Sequence, residues 1–292
     1  MFIKKRISVK LSTKDRYYDI VTPYGYGGPT ICNAINRTQL VAEFNVEFSR
    51  YCKKNNIISE FIRFSPVLNN HVDFEAILDV SFNRNTVVTY LDIEDPFMTQ
   101  LSPTCRNKIR KSIKNGVVTE IDHVGESMDN FVELYKSTMI KNNASNYYYF
   151  SKLYFDQFRT ELENKFIIIN SIHEGKIIAS AIFLISDTTM HYHLAATNPE
   201  YYKLAPNNLF LWRAIQWGIE NNMSQIHLGG GLTNLEDDNL FKFKSGFSTS
   251  PPLSFYVGKK IHNLEIYKEL VKAHLDNSTD IKNENYFPAY RG

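Results

Sequence analysis

Three β-type runs, residues 165–172, 176–185 and 189–196, follow one another with only Glu174-Gly175 and Asp187-Thr188 as turn signals between them. Parallel strands need a crossover of a dozen or more residues, so links this short make the three runs antiparallel neighbours. Whatever else the chain does, its second half is built around this meander. Two helices are predicted before it. Ser127 caps one that carries Phe131, Leu134, Tyr135 and Met139, and Ser151 caps another with Tyr154, Phe155, Phe158 and Leu162. The aromatic loop Asn146-Tyr147-Tyr148-Tyr149-Phe150 joins them. After the meander, a helix over 207–222 with Leu209, Leu211, Trp212, Ile215 and Ile219 leads into a short strand over 225–228.

The first half shows a looser version of the same order. A β-like run ends at Pro23 and enters the turn-rich Tyr24-Gly25-Tyr26-Gly27-Gly28-Pro29. From Thr38, read as an N-cap, Val41, Phe44, Phe48 and Tyr51 recur at helical spacing, and residues 57–64 form a strand stopped by Ser65-Pro66. Two further strands are expected over 75–81 and 86–91. Ser102-Pro103 then opens a helix running to Asn115-Gly116 whose apolar stripe is Cys105, Ile109 and Ile113. Its other faces hold Arg106, Asn107, Arg110, Lys111 and Lys114, with no acidic residue between Pro96 and Thr119. That is a local cationic ridge, either a solvated face or a phosphate-binding surface. At 292 residues the chain exceeds one comfortable core. Two units are expected, 1–120 and 121–292, the second with a C-terminal helix and tail.

Net charge is only +2, from 33 basic and 31 acidic side chains, so no global field marks a nucleic-acid or membrane protein. Cys32, Cys52 and Cys105 are odd in number and widely spaced, which suggests neither a disulfide framework nor a zinc site. The charged start Met1-Phe2-Ile3-Lys4-Lys5-Arg6 does not read as a signal peptide, and no run reaches the ~20 apolar residues of a membrane span. A cytoplasmic location without an integral membrane segment is the expectation.

The order of two helices, three antiparallel strands, a helix and a returning strand is the outline of a GNAT N-acetyltransferase fold. Ordered segments make the likeness more specific: YGYGGP, EFIRFSP, SPTCRNKIRKSIKNGV, HYHLAATNPEYYKLAPNNLFLWRAIQWGIE, LGGG, DDNLFKFKSGF, FYVGKKIHN and FPAYRG. Together they resemble the FemABX-type aminoacyltransferases of peptidoglycan bridge formation. The resemblance implies an α/β (α+β) architecture of tandem GNAT-like units, each a mixed, largely antiparallel sheet flanked by helices. It implies an acyltransferase forming an amide on an amine-bearing saccharide, nucleotide-sugar or peptide precursor of the cell envelope. The donor is a substrate, acyl-coenzyme A or aminoacyl-tRNA, with no tightly bound cofactor. The acceptor is expected to be phosphorylated or nucleotide-linked and held in a cleft between the units. A double-GNAT protein that has lost activity and recognises tRNA or an anionic glycan is the competing expectation.

Two features depart from the family pattern. There is no long charged coiled-coil arm, and the place where GNAT enzymes carry a glycine-rich pyrophosphate cradle reads Tyr201-Tyr202-Lys203-Leu204-Ala205-Pro206-Asn207-Asn208-Leu209. Lys203, Asn207 and Asn208 at that helix start are the expected donor contacts, since a helix N-terminus attracts anions. Lys244 and Phe243 match the family's Phe-Lys pair near the donor ester, the lysine supplying charge and the Phe243 N–H donating to an oxyanion. Glu236, Asp237 and Asp238 are candidate proton acceptors, of which Asp238 is preferred. His191 and His193, two apart on one strand face, suggest a proton shuttle at His193 rather than a metal site. The resemblance implies that Tyr26, Gly27, Gly28, Arg63, Arg106, Asn107, Arg110, Tyr148 and Tyr149 border the acceptor.

Overall fold

The computed structural model describes the chain apart from residues 10, 12–14, 146–147, 236 and 278–285. In chain order the strands are β1 (Ile3–Arg6), β2 (Tyr18–Val21), β3 (Ile57–Arg63), β4 (Asp79–Tyr90), β5 (Val118–Asp122), β6 (Phe166–His173), β7 (Lys176–Ser186), β8 (Thr189–Thr197), β9 (Gln225–Gly230) and β10 (Leu253–Ile261). The helices are α1 (Arg37–Lys54), α2 (Pro96–Thr99), α3 (Pro103–Lys114), α4 (Met128–Lys141), α5 (Lys152–Glu161), α6 (Pro206–Glu220), α7 (Asn239–Ser245) and α8 (Leu264–Asn277). They form two compact units, one of residues 1–84 with 254–292 and one of residues 85–253. The expected boundary at residue 120 falls inside the second of these, within β5. The reason is packing: Cys105 and Ile109 of α3 are buried in the same apolar cluster as Leu209, Phe210 and Leu211 of α6.

The unit of residues 1–84 and 254–292 has β1 antiparallel to β2, β2 parallel to β3, and β3 antiparallel to β10. Strand β3 packs against α1 and α8. Ile62 and Phe64 cluster with Val41 of α1, whereas Ile58 clusters with Leu270 of α8 and Tyr290. The tail belongs here too, because the Tyr290 hydroxyl meets Ser59 Oγ at 2.7 Å and Arg291 pairs with Asp19. Helix α1 is capped by Asn36, whose side chain accepts from the Gln39 N–H, rather than by Thr38. The strand expected over 75–81 begins only at Asp79. The N–H groups of Ile77 and Leu78 both turn back to the Phe74 carbonyl at 3.1 Å and make a turn of that stretch.

The unit of residues 85–253 contains the meander as expected, β6, β7 and β8 pairing antiparallel in order. Strand β5 adds antiparallel to β6, β9 adds parallel to β8, and the end of β4 pairs antiparallel with β9. Both tight turns use positive φ, at Glu174 and Gly175 and at Asp187. One apolar cluster joins α3 and α6 to the sheet and another joins α4 and α5 to it, through residues including Phe131, Phe155 and Ile168. Ser102 caps α3 and Ser151 caps α5 as expected. Ser127 makes no side-chain cap. Its hydroxyl donates instead to Asp122 at 2.7 Å, and the Asp122 carboxylate also accepts from the N–H groups of Val124, Gly125 and Ser127. Ile113 is exposed, the inner face of α3 being Cys105, Ile109 and Ser112. No helix among the described residues is long and apolar enough to cross a membrane.

Candidate active site

The parallel ladder between β8 and β9 has only three partners, Thr189↔Gln225, Met190↔Ile226 and His191↔His227. Beyond them both strands are irregular. On β8, Tyr192 and Leu194 stand opposite the consecutive residues Phe183 and Ile182, so His193 is an extra residue. On β9, Gly229 and His227 stand opposite Val87 and Val88, so Leu228 is extra. Gly229 has φ +75°, a conformation that a glycine adopts without strain. Bulges bend a strand and increase its twist. Two of them, immediately past the last paired residues, explain why β8 and β9 part.

Helix α7 follows β9 and brings Lys244 to this place. Lys244 is 8% exposed, its Nζ donates to the Gly230 carbonyl at 2.7 Å, and it lies 5.5 Å from the centre of the Tyr192 ring. Lys242 of the same helix is exposed. Phe243 lies inside α7, where helical geometry commits its N–H to the carbonyl four residues earlier. The oxyanion-donor role expected of that N–H is therefore revised to an anchoring one: the Phe243 ring packs edge-on against the buried Phe247 at 5.5 Å.

Asp238 is the N-cap of α7. Its Oδ1 accepts from Phe241 N at 2.9 Å and its Oδ2 from Thr233 N at 2.8 Å and Thr233 Oγ1 at 3.0 Å. Burial pushes the carboxyl up, but these hydrogen bonds outweigh it and bring the pKa down to about 2. Such a carboxylate is a poor proton acceptor at neutral pH, and its place is structural. A Cβ on Gly231 would stand 2.3 Å from Asp238 Oδ1, so the last glycine of LGGG makes room for this cap. Asp237 has no role in that network, and Glu236 lies outside the described residues.

His191 and His227 form a hydrogen-bonded chain with Thr86, of which His227 and Thr86 were missed in the sequence. The Thr86 hydroxyl donates to the Leu253 carbonyl at 3.1 Å, so its oxygen accepts from His227 Nε2 at 3.0 Å. With the His227 proton on Nε2, its Nδ1 accepts from His191 Nδ1 at 3.3 Å, and the two rings stack at 5.3 Å. His193 Nε2 meets the Tyr154 hydroxyl at 2.6 Å. Burial lowers the His193 pKa to about 4. Burial, reinforced by the charge of Lys244, lowers that of His227 to about 3. His191 is held well below its usual value by burial, then by His227, His193 and Lys244. Among the described residues, no three His, Cys, Asp or Glu side chains converge on a metal-sized site.

The expected donor residues stand at the start of α6. The stretch that replaces a glycine cradle is the 3-10 turn Pro199–Leu204, closed by Ala205 at φ 55°. Asn207 Oδ1 accepts from Thr197 Oγ1 at 2.6 Å, and the buried Asn208 donates to Cys105 Sγ at 3.6 Å, which ties the Asn207 oxygen and the Asn208 amide into the fold. Ser171 Oγ fixes the same turn through the Pro206 carbonyl at 2.9 Å. Lys203 is exposed.

Of the expected acceptor residues, Tyr26 packs edge-on against Phe255 at 4.9 Å. Gly27 N donates to the Arg63 carbonyl at 3.0 Å, and Gly28, at φ +85°, lies against Ile62 and Phe64. The Arg63 guanidinium sits 4.9 Å over the Phe61 ring. In the other unit, Arg106 donates to the carbonyls of Met98 at 2.9 Å and Leu101 at 2.7 Å. Arg110 lies 5.2 Å over Phe97, while Asn107, Tyr148 and Tyr149 are exposed. Tyr147 lies outside the described residues.

A mixed sheet whose parallel strands part after three partners, with a helix starting at the opening on each side, defines the GNAT class of fold. Residues 102–242 match the acetyltransferase (GNAT) domain family. Over 173 residues, 57% of this chain and 49% of the relative, the sequence is 26% identical to UDP-N-acetylmuramoylpentapeptide-lysine N(6)-alanyltransferase of Weissella viridescens. The chain thus spans about half the length of that relative. The fold is similar to the crystal structure of FemX, with TM-score 0.65 and 12% identity over 92% of this chain and 90% of that one. It is also similar to L-PGS from Bacillus licheniformis, with TM-score 0.53 and 11% identity over 82% and 79% of the two chains. Residues 102–242 are thus similar to the GNAT acetyltransferase domain, and the fold of the chain is similar to that of FemX.

Proposed function

We propose that this protein is an aminoacyltransferase that moves an activated aminoacyl group onto an amine of a peptidoglycan precursor. The observation that carries this reading is the opening between β8 and β9 with the Lys244 ammonium beside it, bonded to Gly230 O. A donor carbonyl set in that opening meets a fixed positive charge. The acceptor amine attacks the carbonyl carbon, the C–N bond forms, and negative charge collects on oxygen near Lys244. Collapse breaks the bond to the leaving ribose hydroxyl or thiol, which takes a proton as the amide loses one. Neutral His193 and the Tyr154 hydroxyl bonded to it are the proposed path of that proton, handed on through their hydrogen bond rather than held as an imidazolium.

Aminoacyl-tRNA is favoured over acyl-coenzyme A because the start of α6 lacks a glycine cradle and has the Asn208 amide turned to Cys105 inside the fold. The proposed acceptor contacts in the unit of residues 85–253 are Asn107, Arg110, Tyr148 and Tyr149, while Arg106, expected beside them, is bonded to the carbonyls of Met98 and Leu101. The test is mass spectrometry of a nucleotide-linked muropeptide bearing a free lysine amine, incubated with the protein and either a set of charged tRNAs or acetyl-coenzyme A. One added aminoacyl mass, dependent on charged tRNA, is expected. Acetyl transfer alone would overturn the donor assignment, and no transfer from either donor would overturn the activity.

A further inference from the structure

The unit of residues 1–84 and 254–292 contains a second feature that the transfer chemistry does not use. Between α1 and the sheet lies a pocket of about 250 Å³ whose apolar walls include Phe44, Phe48, Phe61 and Ile62. Two opposite charges, Glu60 of β3 and Lys260 of β10, also line it. They are direct cross-strand partners in the antiparallel register, the position in which a carboxylate and an ammonium ordinarily pair. Here they do not. Lys260 Nζ bonds instead to Asn45 Oδ1 of α1. Among the described residues, the one basic atom close to the Glu60 carboxylate is His262 Nε2 at 3.5 Å, and that atom is buried without a hydrogen-bond partner. Glu60 itself is only 6% exposed. A carboxylate so far removed from water is costly unless a donor satisfies it.

We propose that this pocket binds a free apolar α-amino acid as a zwitterion. Its ammonium bonds the Glu60 carboxylate, its carboxylate meets the Lys260 ammonium, and its side chain fills the space between the phenylalanines. The head group matches the pocket charge for charge, so neither Glu60 nor Lys260 stays uncompensated, whereas a simple amine or a simple acid satisfies only one. Size points the same way, since pockets for drug-sized ligands run from ~300 to 1,000 Å³ and this one lies below that range. The site is independent of the transfer reaction and of its proposed substrates.

Isothermal titration of the full chain with leucine and phenylalanine tests the proposal directly. Saturable binding of at least one is expected. Phenethylamine and 3-phenylpropionate, each lacking one head group, should bind the unaltered protein about tenfold or more weakly than phenylalanine, as loss of one charged hydrogen bond implies. Glu60→Gln should weaken phenylalanine by a similar factor and leave 3-phenylpropionate unchanged. Absence of binding by both amino acids at millimolar concentration would overturn the proposal, as would equal binding of the single-headed analogues or unaltered phenylalanine affinity in a folded Glu60→Gln protein. Should that variant fail to fold, the analogue series on the unaltered protein decides alone.

Discussion

Lys244 Nζ donates to the Gly230 carbonyl at 2.7 Å, which ties the middle of α7 to the end of β9 at the point where β9 has left β8. The same atom faces the Tyr192 ring and adds to the electrostatic load on His191 and His227. One side chain thus links the opening, the helix behind it and the buried histidines His191 and His227. It does so from a buried position, which changes what its removal should do.

Lys244→Met should lower kcat by roughly 100–1,000-fold, the scale for losing one preorganised oxyanion donor. Because Gly230 O then loses a buried partner, stability should also fall by about 1–3 kcal/mol. The exposed Lys242 is the control: Lys242→Ala should change neither. Single-turnover rates and urea midpoints, measured together, check this. Equal rate losses in the two variants would remove Lys244 from the chemistry.

The histidines predict how stability varies with acid. His227 has a folded pKa of about 3 against an ordinary value of 6.5, and His193 is lowered to about 4. A lowered folded pKa means that the unfolded chain binds more protons between the two values, so stability rises with pH there. Their contribution is complete above 6.5 and is lost as pH falls from there towards the folded values. Asp238, lowered from 3.8 to about 2, has its own window below 3.8. Urea midpoints between about pH 7 and 4.5 therefore report the histidines, with a loss on the order of a few kcal/mol. His227→Gln should flatten that limb and leave the decline below 3.8 in place.

Asp238→Ala should behave as the loss of a helix cap. A cost of about 0.5–2 kcal/mol is expected, with Thr233 N and Phe241 N both losing their acceptor. At neutral pH the pH–rate profile should keep its shape, because a carboxyl with a pKa of about 2 does not titrate there. A profile that loses a limb near neutrality would restore Asp238 as a proton acceptor.

Legibility in the sequence followed locality. The meander was readable because two tight turns leave one pairing pattern, and the caps Ser102 and Ser151 because capping is decided within three residues. Lys244 was reached through resemblance, since its spacing on α7 does not separate it from Lys242. The bulge at Leu228 and the partners Thr86 and His227 depend on β4 and β9, which are distant in sequence, and the bulge at His193 is a register shift between β7 and β8 that their turn does not announce. The same holds for residues 254–292, whose β10 pairs with β3 and whose Tyr290 reaches Ser59. Burial of Ser112 rather than Ile113 on α3 is also a tertiary outcome.

The basic helix α3 offers the last test, because two of its arginines do different things in the fold. Arg106 donates to the carbonyls of Met98 and Leu101, fastening the turn that precedes the helix. Arg110 is exposed and lies over the Phe97 face at 5.2 Å, with Phe97 in turn packed on Trp212 at 4.9 Å. A guanidinium over an aromatic face keeps its edge donors available to phosphate oxygens. Arg110→Ala should cost only about 0.5–1 kcal/mol of stability, the worth of an exposed cation–π contact, while raising KM for a phosphorylated acceptor. If ground and transition states hold the phosphate alike, kcat stays constant. Arg106→Ala should show the opposite division, losing about 1–3 kcal/mol of stability through two charged hydrogen bonds while acceptor KM stays near that of the unaltered protein. Thermal melts with steady-state kinetics on both variants separate the two roles. An unchanged acceptor KM in Arg110→Ala would leave α3 as a solvated cationic face.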